Sequence, residues 1–336
     1  MSSFTTSTAS TLSYLVVGGG MSGLIAATVL RDRHMQVTVV DKGRAIGGRM
    51  ATRRIQNAQY GEGVFDYGAQ YFTVQNSRFQ TLVNNWIQEG IVRQWSLNNH
   101  ILSREVYYRG VSSNRAIASH LAENLDVHTN TKVINITWLD DYWQVETETN
   151  DIFSADVLLL TPPLPQTLEL LERSQIQLPP QTKHRLEQIV YGRCIAVLAL
   201  LAQPSQIPSP GGMQLDGNIL SWIACNQKKG ISPQGSAVTL HANSEFSETH
   251  WEEDNVVISN QLFEAASPWL GSSVIDYQVH RWRYSQPQTV YGEPYLVLTE
   301  PGPIILCGDA FIQPNLEGAV LSGLAAADYL LDIDRI

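Results

Sequence analysis

Ser13-Tyr14-Leu15-Val16-Val17 runs directly into Gly18-Gly19-Gly20-Met21-Ser22-Gly23, and residues 24–30 continue with helix-forming side chains. A short apolar run, a glycine-rich turn and a helix, in that order, open a nucleotide-binding strand–turn–helix unit. Gly18 permits the tight turn, Gly20 lets the backbone approach a pyrophosphate, and Gly23 lets the helix pack on the strand. Met21 and Ser22 lie between those last two glycines, at the helix N-terminus whose positive end faces the phosphates. A second strand is predicted over Gln36–Val40 and ends at Asp41. That acid stands about 20 residues past the glycines, where this fold places a carboxylate to accept the ribose hydroxyls of an adenosine.

Composition narrows the rest. The 336 residues are 43% hydrophobic, enough to bury two interleaved lobes. With 22 Lys and Arg against 32 Asp and Glu, the net charge of -10 argues against a nucleic-acid partner. Cys194, Cys225 and Cys307 lie far apart and match no metal spacing, so a reduced, cytoplasmic setting without a metal is expected. Residues 1–12 read as a flexible tail, and the longest later apolar run, residues 195–202, is far below a membrane span. Small-molecule chemistry is the expectation, without a membrane partner; the oligomeric state is left open.

The glycine motif alone does not choose between FAD and NAD. After Asp41 comes Lys42-Gly43-Arg44-Ala45-Ile46-Gly47-Gly48-Arg49-Met50-Ala51-Thr52, which resembles the R-x-x-G-G-R extension of the flavin-containing amine oxidase superfamily. Glycines allow close backbone approach and guanidinium groups match phosphate oxygens in fork geometry. A basic surface loop is the plainer alternative. The resemblance implies non-covalent FAD, with Lys42, Arg44, Gly48, Arg49 and Met50 about its pyrophosphate. Phe65-Asp66-Tyr67-Gly68-Ala69-Gln70-Tyr71-Phe72-Thr73 resembles the segment that in renalase-like oxidases passes along the isoalloxazine ring. Gly68, Ala69 and Gln70 would then lie at the flavin.

Near the far end, a buried strand is predicted to run into Gly308-Asp309-Ala310, with residues 318–323 opening a last helix. The resemblance implies that Asp309 accepts a ribityl hydroxyl. It also implies that Gly318 and Ala319 point N–H groups at the flavin pyrimidine, a positive dipole end that favours the anionic reduced ring. Between the two ends, residues 132–138, 142–147 and 153–160 read as a three-stranded meander, with Val133 implied to meet the adenine. It stops at Thr161-Pro162-Pro163-Leu164-Pro165, where prolines mark a domain crossing and Thr161 is implied to touch the cofactor.

The resemblance implies an α/β chain: a Rossmann-like FAD-binding domain of glutathione-reductase type with an interleaved α+β, mixed-sheet substrate domain, in p-hydroxybenzoate-hydroxylase/amine-oxidase-like topology. Residues 13–75, 126–165 and 290–336 are expected in the first and residues 76–125 and 166–289 in the second. Helices are predicted over residues 77–89, 114–125 and 166–190, and residues 203–217, rich in Pro and Gly, read as a loop. In the predicted strand containing Val279-His280-Arg281-Trp282-Arg283-Tyr284, alternation sets His280, Trp282 and Tyr284 on one face and both arginines on the other.

Two readings of these aromatics stand side by side. Trp282, Tyr71 and His241 could wall an aromatic slot above the flavin; or they could form the interface between lobes, with His241 a satisfied core histidine. Such an oxidase needs little from side chains beyond placing the donor carbon at the ring, so the lack of an obvious base is no objection. The resemblance implies hydride transfer from a reduced nicotinamide dinucleotide, NAD(P)H or an isomer, with dioxygen then reduced to hydrogen peroxide. The alternatives are an amine oxidase and a non-catalytic FAD-binding redox sensor. Against the first, Lys183 falls in a helical stretch and Lys228-Lys229 in a polar turn, so no lysine is expected to position a water at the flavin.

Overall fold

The computed structural model describes residues 12–96 and 106–333; the predicted tail over residues 1–11 lies outside them. A six-stranded sheet has the spatial order Leu296–Leu298, Ile304–Leu306, Val157–Leu160, Ser13–Val17, Gln36–Val40 and Asp126–His128. Its pairs are parallel except at the Leu296–Leu298 edge. Val16, Val39, Leu159 and Ile305 are buried completely, which is why these strands read as continuous apolar runs. The first helix (Met21–Asp32) and the last (Leu316–Ile333) pack together across one face. A side chain at Gly323 would collide with the backbone of Ser22, so only glycine permits this approach.

The run over residues 153–160, read as one strand, is two. Ile152–Ala155 finishes the antiparallel meander with Val133–Leu139 and Tyr142–Thr147, whereas Val157–Leu160 enters the parallel sheet beside the first strand. Asp156 is the pivot: its Oδ2 accepts from the Ser13 N–H at 2.6 Å and the Ser13 hydroxyl at 2.7 Å. The helical stretch over residues 166–190 is also two helices, Leu164–Arg173 and Pro180–Glu187. Pro165 sits in the first turn, where a missing N–H costs nothing, so the proline cluster starts a helix instead of only ending a strand.

A five-stranded sheet builds the second layer, ordered Gly212–Gln214, Leu220–Cys225, Ser236–Ala242, Tyr191–Leu201 and Val274–Pro287. The sheet expected to be mixed is antiparallel at every pairing. Short returns such as the one between Gln214 and Leu220 reverse the chain, and the helical crossover through Asn255–Leu270 joins Ser236–Ala242 to Val274–Pro287, which are separated by Tyr191–Leu201 and so are not neighbours. Helix Asn255–Leu270 covers one face through Ile258, Leu262 and Ala266. The helices expected beside this sheet also share cores with the parallel one. Leu170, Leu171 and Leu186 cluster with Leu15 and Leu158, and Phe79, Val83 and Ile117 cluster with Leu24 and Val320.

Candidate functional site

The glycine turn builds a hollow. The Thr161 hydroxyl donates to the carbonyls of Val17 and Gly18 at 3.0 and 3.1 Å, and a side chain at Gly18 or Gly23 would collide with this turn. Gly20 differs: a Cβ there would meet nothing within 4 Å, although its φ of -80° suits any residue. The space in front of the helix N-terminus is therefore kept clear rather than filled. Over it folds the loop around Gly47, whose N–H donates to the Gly19 carbonyl at 2.7 Å, bringing Gly48 against the Gly20 backbone. Asp41 holds the turn from the other side, accepting from the N–H groups of Gly19 and Gly43, each at 2.6 Å.

Arg49 and Asp309, 260 residues apart, form a bidentate pair at 2.6 and 2.7 Å. Burial alone would lower the Arg49 pKa, but Asp309 more than offsets it and the guanidinium is held above its usual range. Beneath lies Cys307, its thiol pushed up to about 11 by burial although it takes a 3.4 Å contact from the Ser22 hydroxyl. The last helix begins two residues before Gly318, whose N–H is capped by Asn315 Oδ1 at 2.8 Å; the Ala319 N–H goes to the Asn315 carbonyl. The remaining expected residues sit around this frame. Met21, Ser22 and Met50 are buried, Lys42 reaches Gln166 at 2.8 Å, Arg44 is exposed, and Val133 pairs with Thr147 at the start of the meander.

An empty glycine-lined hollow at a helix N-terminus, closed by a loop and an arginine–aspartate clamp, suits a flavin dinucleotide. Backbone N–H groups and Arg49 would hold the pyrophosphate, Asp41 would meet the ribose, and Asp309 would meet the ribityl chain.

The segment from Asp66 to Tyr71 leads from this hollow to the second sheet. A side chain at Gly68 would collide with the Arg49 carbonyl and stand 3.3 Å from Trp282 Cζ2, so the backbone is pressed between the two. Ala69 donates to the Arg49 carbonyl at 2.8 Å. Buried Gln70 staples the turn, its Nε2 donating to the carbonyls of Asp66 at 2.7 Å and Gly68 at 3.1 Å. The Tyr67 carbonyl accepts from Trp282 Nε1 at 2.9 Å and His241 Nε2 at 3.0 Å, which occupies both of its lone pairs. A carbonyl only accepts, so His241 carries its proton on Nε2. Trp282 stacks on the Tyr67 ring at 5.2 Å and 22°, with His280 edge-on to both. Burial pushes His241 and His280 down to about 4, and for His280 the Arg53 guanidinium adds to the effect.

Trp282 and His241 therefore meet at one peptide. Tyr71 belongs to a second aromatic group, 5.0 Å from Tyr107 and 5.4 Å from Trp222. Of the strand's two arginines, Arg281 holds the carbonyls of Trp251 and Glu253 and is structural. A cavity of about 400 Å³ lined by Leu215, Ile219, Leu220, Ala265 and Trp269 lies on the far side of the second sheet, away from every residue above.

Sequence reasoning missed three groups. Lys229, expected in a polar turn, sits on the short helix Asn226–Lys229 and is 1% exposed; its Nζ lies 2.8 Å from Asp66 Oδ2 and 5.1 Å from the Trp95 ring centre. Asp66, fully buried, also accepts from the Thr52 hydroxyl at 2.6 Å and the Asn114 N–H at 3.1 Å. Glu317, 2% exposed, accepts from the N–H groups of Gln75 and Asn76 and ties the segment after Tyr71 to the last helix. The acid's position within Phe65-Asp66-Tyr67-Gly68 was a visible signal, since a charge amid buried aromatics needs a partner. Lys183 sits exposed beside Glu187.

Two family profiles match the chain: NAD(P)-binding Rossmann-like domain over residues 16–86, and Flavin containing amine oxidoreductase over residues 99–331. Renalase from Mus musculus is 26% identical across 94% of this chain and 98% of its own length. Amine oxidase [flavin-containing] B from Cavia porcellus is 40% identical over 68 residues, which are 20% of this chain and 12% of that one. Among solved structures, a putrescine oxidase bound to putrescine superposes with a TM-score of 0.72 at 14% identity, covering 96% of this chain and 99% of that one. A putative protoporphyrinogen oxidase from Exiguobacterium superposes at 0.70 with 13% identity and the same coverage. Those two likenesses concern the fold.

Proposed function

This chain belongs to the flavin-containing amine oxidoreductase family and is an FAD-dependent oxidoreductase; from that premise we propose that its electron donor is a reduced nicotinamide dinucleotide or an isomer of one. The observation that carries the reading is the aromatic wall at the junction of the sheets, on which, among the described residues, the one charge is a cation, the Arg53 guanidinium 4.8 Å from the Tyr67 ring centre. Trp282 stacked on Tyr67, with His241 and His280 both held neutral by burial, sets flat aromatic rings beside Gly68. A planar, neutral dihydropyridine fits against such faces. A protonated amine, which aromatic faces also attract, would here meet the Arg53 guanidinium already over Tyr67, and Asp66, the buried acid nearest this wall in sequence, is already paired with Lys229.

Bound FAD would supply two-electron redox chemistry between the donor and dioxygen, the net change being loss of hydride from the dihydropyridine carbon and, with one proton from solvent, reduction of dioxygen to hydrogen peroxide. The protein's own part is positional. Tyr67, fixed through its carbonyl by Trp282 and His241, would set the donor plane against the flavin, and the packed rings would exclude water. Cytoplasmic residence accords with this donor; among the described residues no helix is long and apolar enough to cross a membrane.

The deciding experiment mixes FAD-loaded protein anaerobically with alpha and beta NADH and NADPH, isomeric dihydropyridines and a panel of amines, following flavin absorbance. Bleaching by a nicotinamide form, with peroxide on readmitting air, is expected. Bleaching only by amines would replace this reading with amine oxidation, and no bleaching by any donor would leave a redox-sensing FAD protein as the better description.

A further inference from the structure

We infer that Arg93 and Arg109 form a binding site for a phosphate-type oxyanion carried by the substrate, placed beside the aromatic group of Trp95, Trp222, Tyr71 and Tyr107. The inference rests on the dinucleotide reading above and adds which part of the donor is gripped and by what.

The two arginines are opposed across a strand pair. Val92–Gln94 runs antiparallel to Tyr108–Gly110 with Arg93 directly facing Arg109. Like charges in that register repel and destabilise the pair. Their ends also converge: a Cβ on exposed Gly230 would stand 2.8 Å from Arg93 Nη2 and 3.0 Å from Arg109 Nη2, so both lie within reach of one small anion at the surface. Arg109 is 4% exposed; its Nη1 is used by the carbonyls of Gly110 at 2.7 Å and Val111 at 3.1 Å, and its buried Nε has no partner. Arg93 makes no hydrogen bond or ion pair with any described residue.

Charge balance points the same way. Asp66 is the carboxylate that acts on both Arg109 and Lys229, and its oxygen is already bonded to Lys229. Arg109 and Arg93 remain without a carboxylate of their own, and burial together with Arg93 pushes the Arg109 pKa down to about 10. A buried cation with no carboxylate of its own, and a second cation opposite it at the surface, call for an anion. The rings specify what the anion is attached to. Trp95 lies two residues beyond Arg93, its ring 6.2 Å from Trp222, whose buried Nε1 is an unpartnered donor. Oxyanion forks beside a group of edge-to-face and tilted rings match a nucleotide-like ligand.

The test compares FAD-loaded wild type with Arg93→Gln and Arg93→Lys, since Arg93 is exposed and its replacement should leave the fold intact. Anaerobic flavin reduction is measured with the dinucleotide and with N-benzyl dihydronicotinamide, which has no phosphate. Arg93→Gln should raise the half-saturating dinucleotide concentration about tenfold, with the limiting reduction rate and all parameters for the mimic unchanged; Arg93→Lys should recover part of the loss. Equal effects on both donors, or on neither, would overturn the site's role in gripping the substrate. Thermal melting with inorganic pyrophosphate reads the site independently of the donor. Should no dihydronicotinamide reduce the flavin, the dinucleotide reading falls, yet stabilisation of wild type but not of Arg93→Gln by pyrophosphate would still support the oxyanion site. Stabilisation of both or of neither would refute it, and stabilisation confined to wild type without any change in dinucleotide dependence would assign the site to a free anion instead of the substrate.

Discussion

The cofactor hollow and the sheet junction that faces it are held by opposite means. The hollow is defined by missing side chains, at Gly18, Gly20, Gly23 and Gly48, and by one clamp, Arg49 with Asp309. The junction is defined by side chains that satisfy one another: Lys229 with Asp66, and Trp282 and His241 with the Tyr67 carbonyl. Filling the open space at Gly20 should therefore cost cofactor before it costs stability, and damage to the tightly packed junction the reverse.

The sharpest way to break that contrast is Lys229→Met, which strands the Asp66 carboxylate in the core. A loss of about 3–5 kcal/mol is expected by urea unfolding; a loss below about 1 kcal/mol would mean that Thr52 and Asn114 suffice for Asp66. Next comes a pair of glycine changes. Gly20→Ala should leave the apoprotein's melting temperature unchanged while reducing FAD retention, because the added methyl enters space that is otherwise open. Gly23→Ala should lower the melting temperature itself, through collision with the turn. Equal melting losses for both would erase the distinction. Arg49→Gln removes the bidentate pair and should weaken FAD binding by roughly 10- to 100-fold, read by flavin release in equilibrium dialysis.

Smaller effects sharpen the junction. Trp282→Phe keeps a ring but deletes the bond to the Tyr67 carbonyl, for an expected cost of about 0.5–1.5 kcal/mol, since His241 still donates there. The histidines predict a pH dependence. Their folded pKa values near 4 lie below the ordinary histidine value of 6.5, so between those limits the unfolded chain binds more protons. Stability should be fully present above pH 6.5 and fall as pH drops toward 4. His280→Gln should make that slope shallower, and an unchanged slope would show that His280 does not contribute.

The same contrast explains what could be read from sequence. Ser13–Val17 and Gln36–Val40 were bounded correctly because apolar runs and flanking glycines are local signals. The residues expected at the cofactor follow motif spacing, which is local, whereas the pairing of Arg49 with Asp309 across 260 residues is not visible in it. Lys229 was misplaced because its short helix has polar composition, and its partner lies 163 residues earlier. The division of residues 153–160 was hidden for a similar reason: Asp156 ends one strand by bonding Ser13, 143 residues away. Trp282's face was legible from alternation, but the carbonyl it shares with His241 depends on how two sheets meet.

The glycine contact between the first and last helices carries a consequence for synthesis. A ribosome releases the cradle early, but the first strand then waits for Val157–Leu160 beside it, and Arg49 waits for Asp309. At roughly 5–20 residues per second, the interval before Asp309 emerges is on the order of 10 to 60 s. Until Gly323 docks on Ser22, the nascent chain has a complete motif and no complete site, so loading with flavin must wait for the last helix.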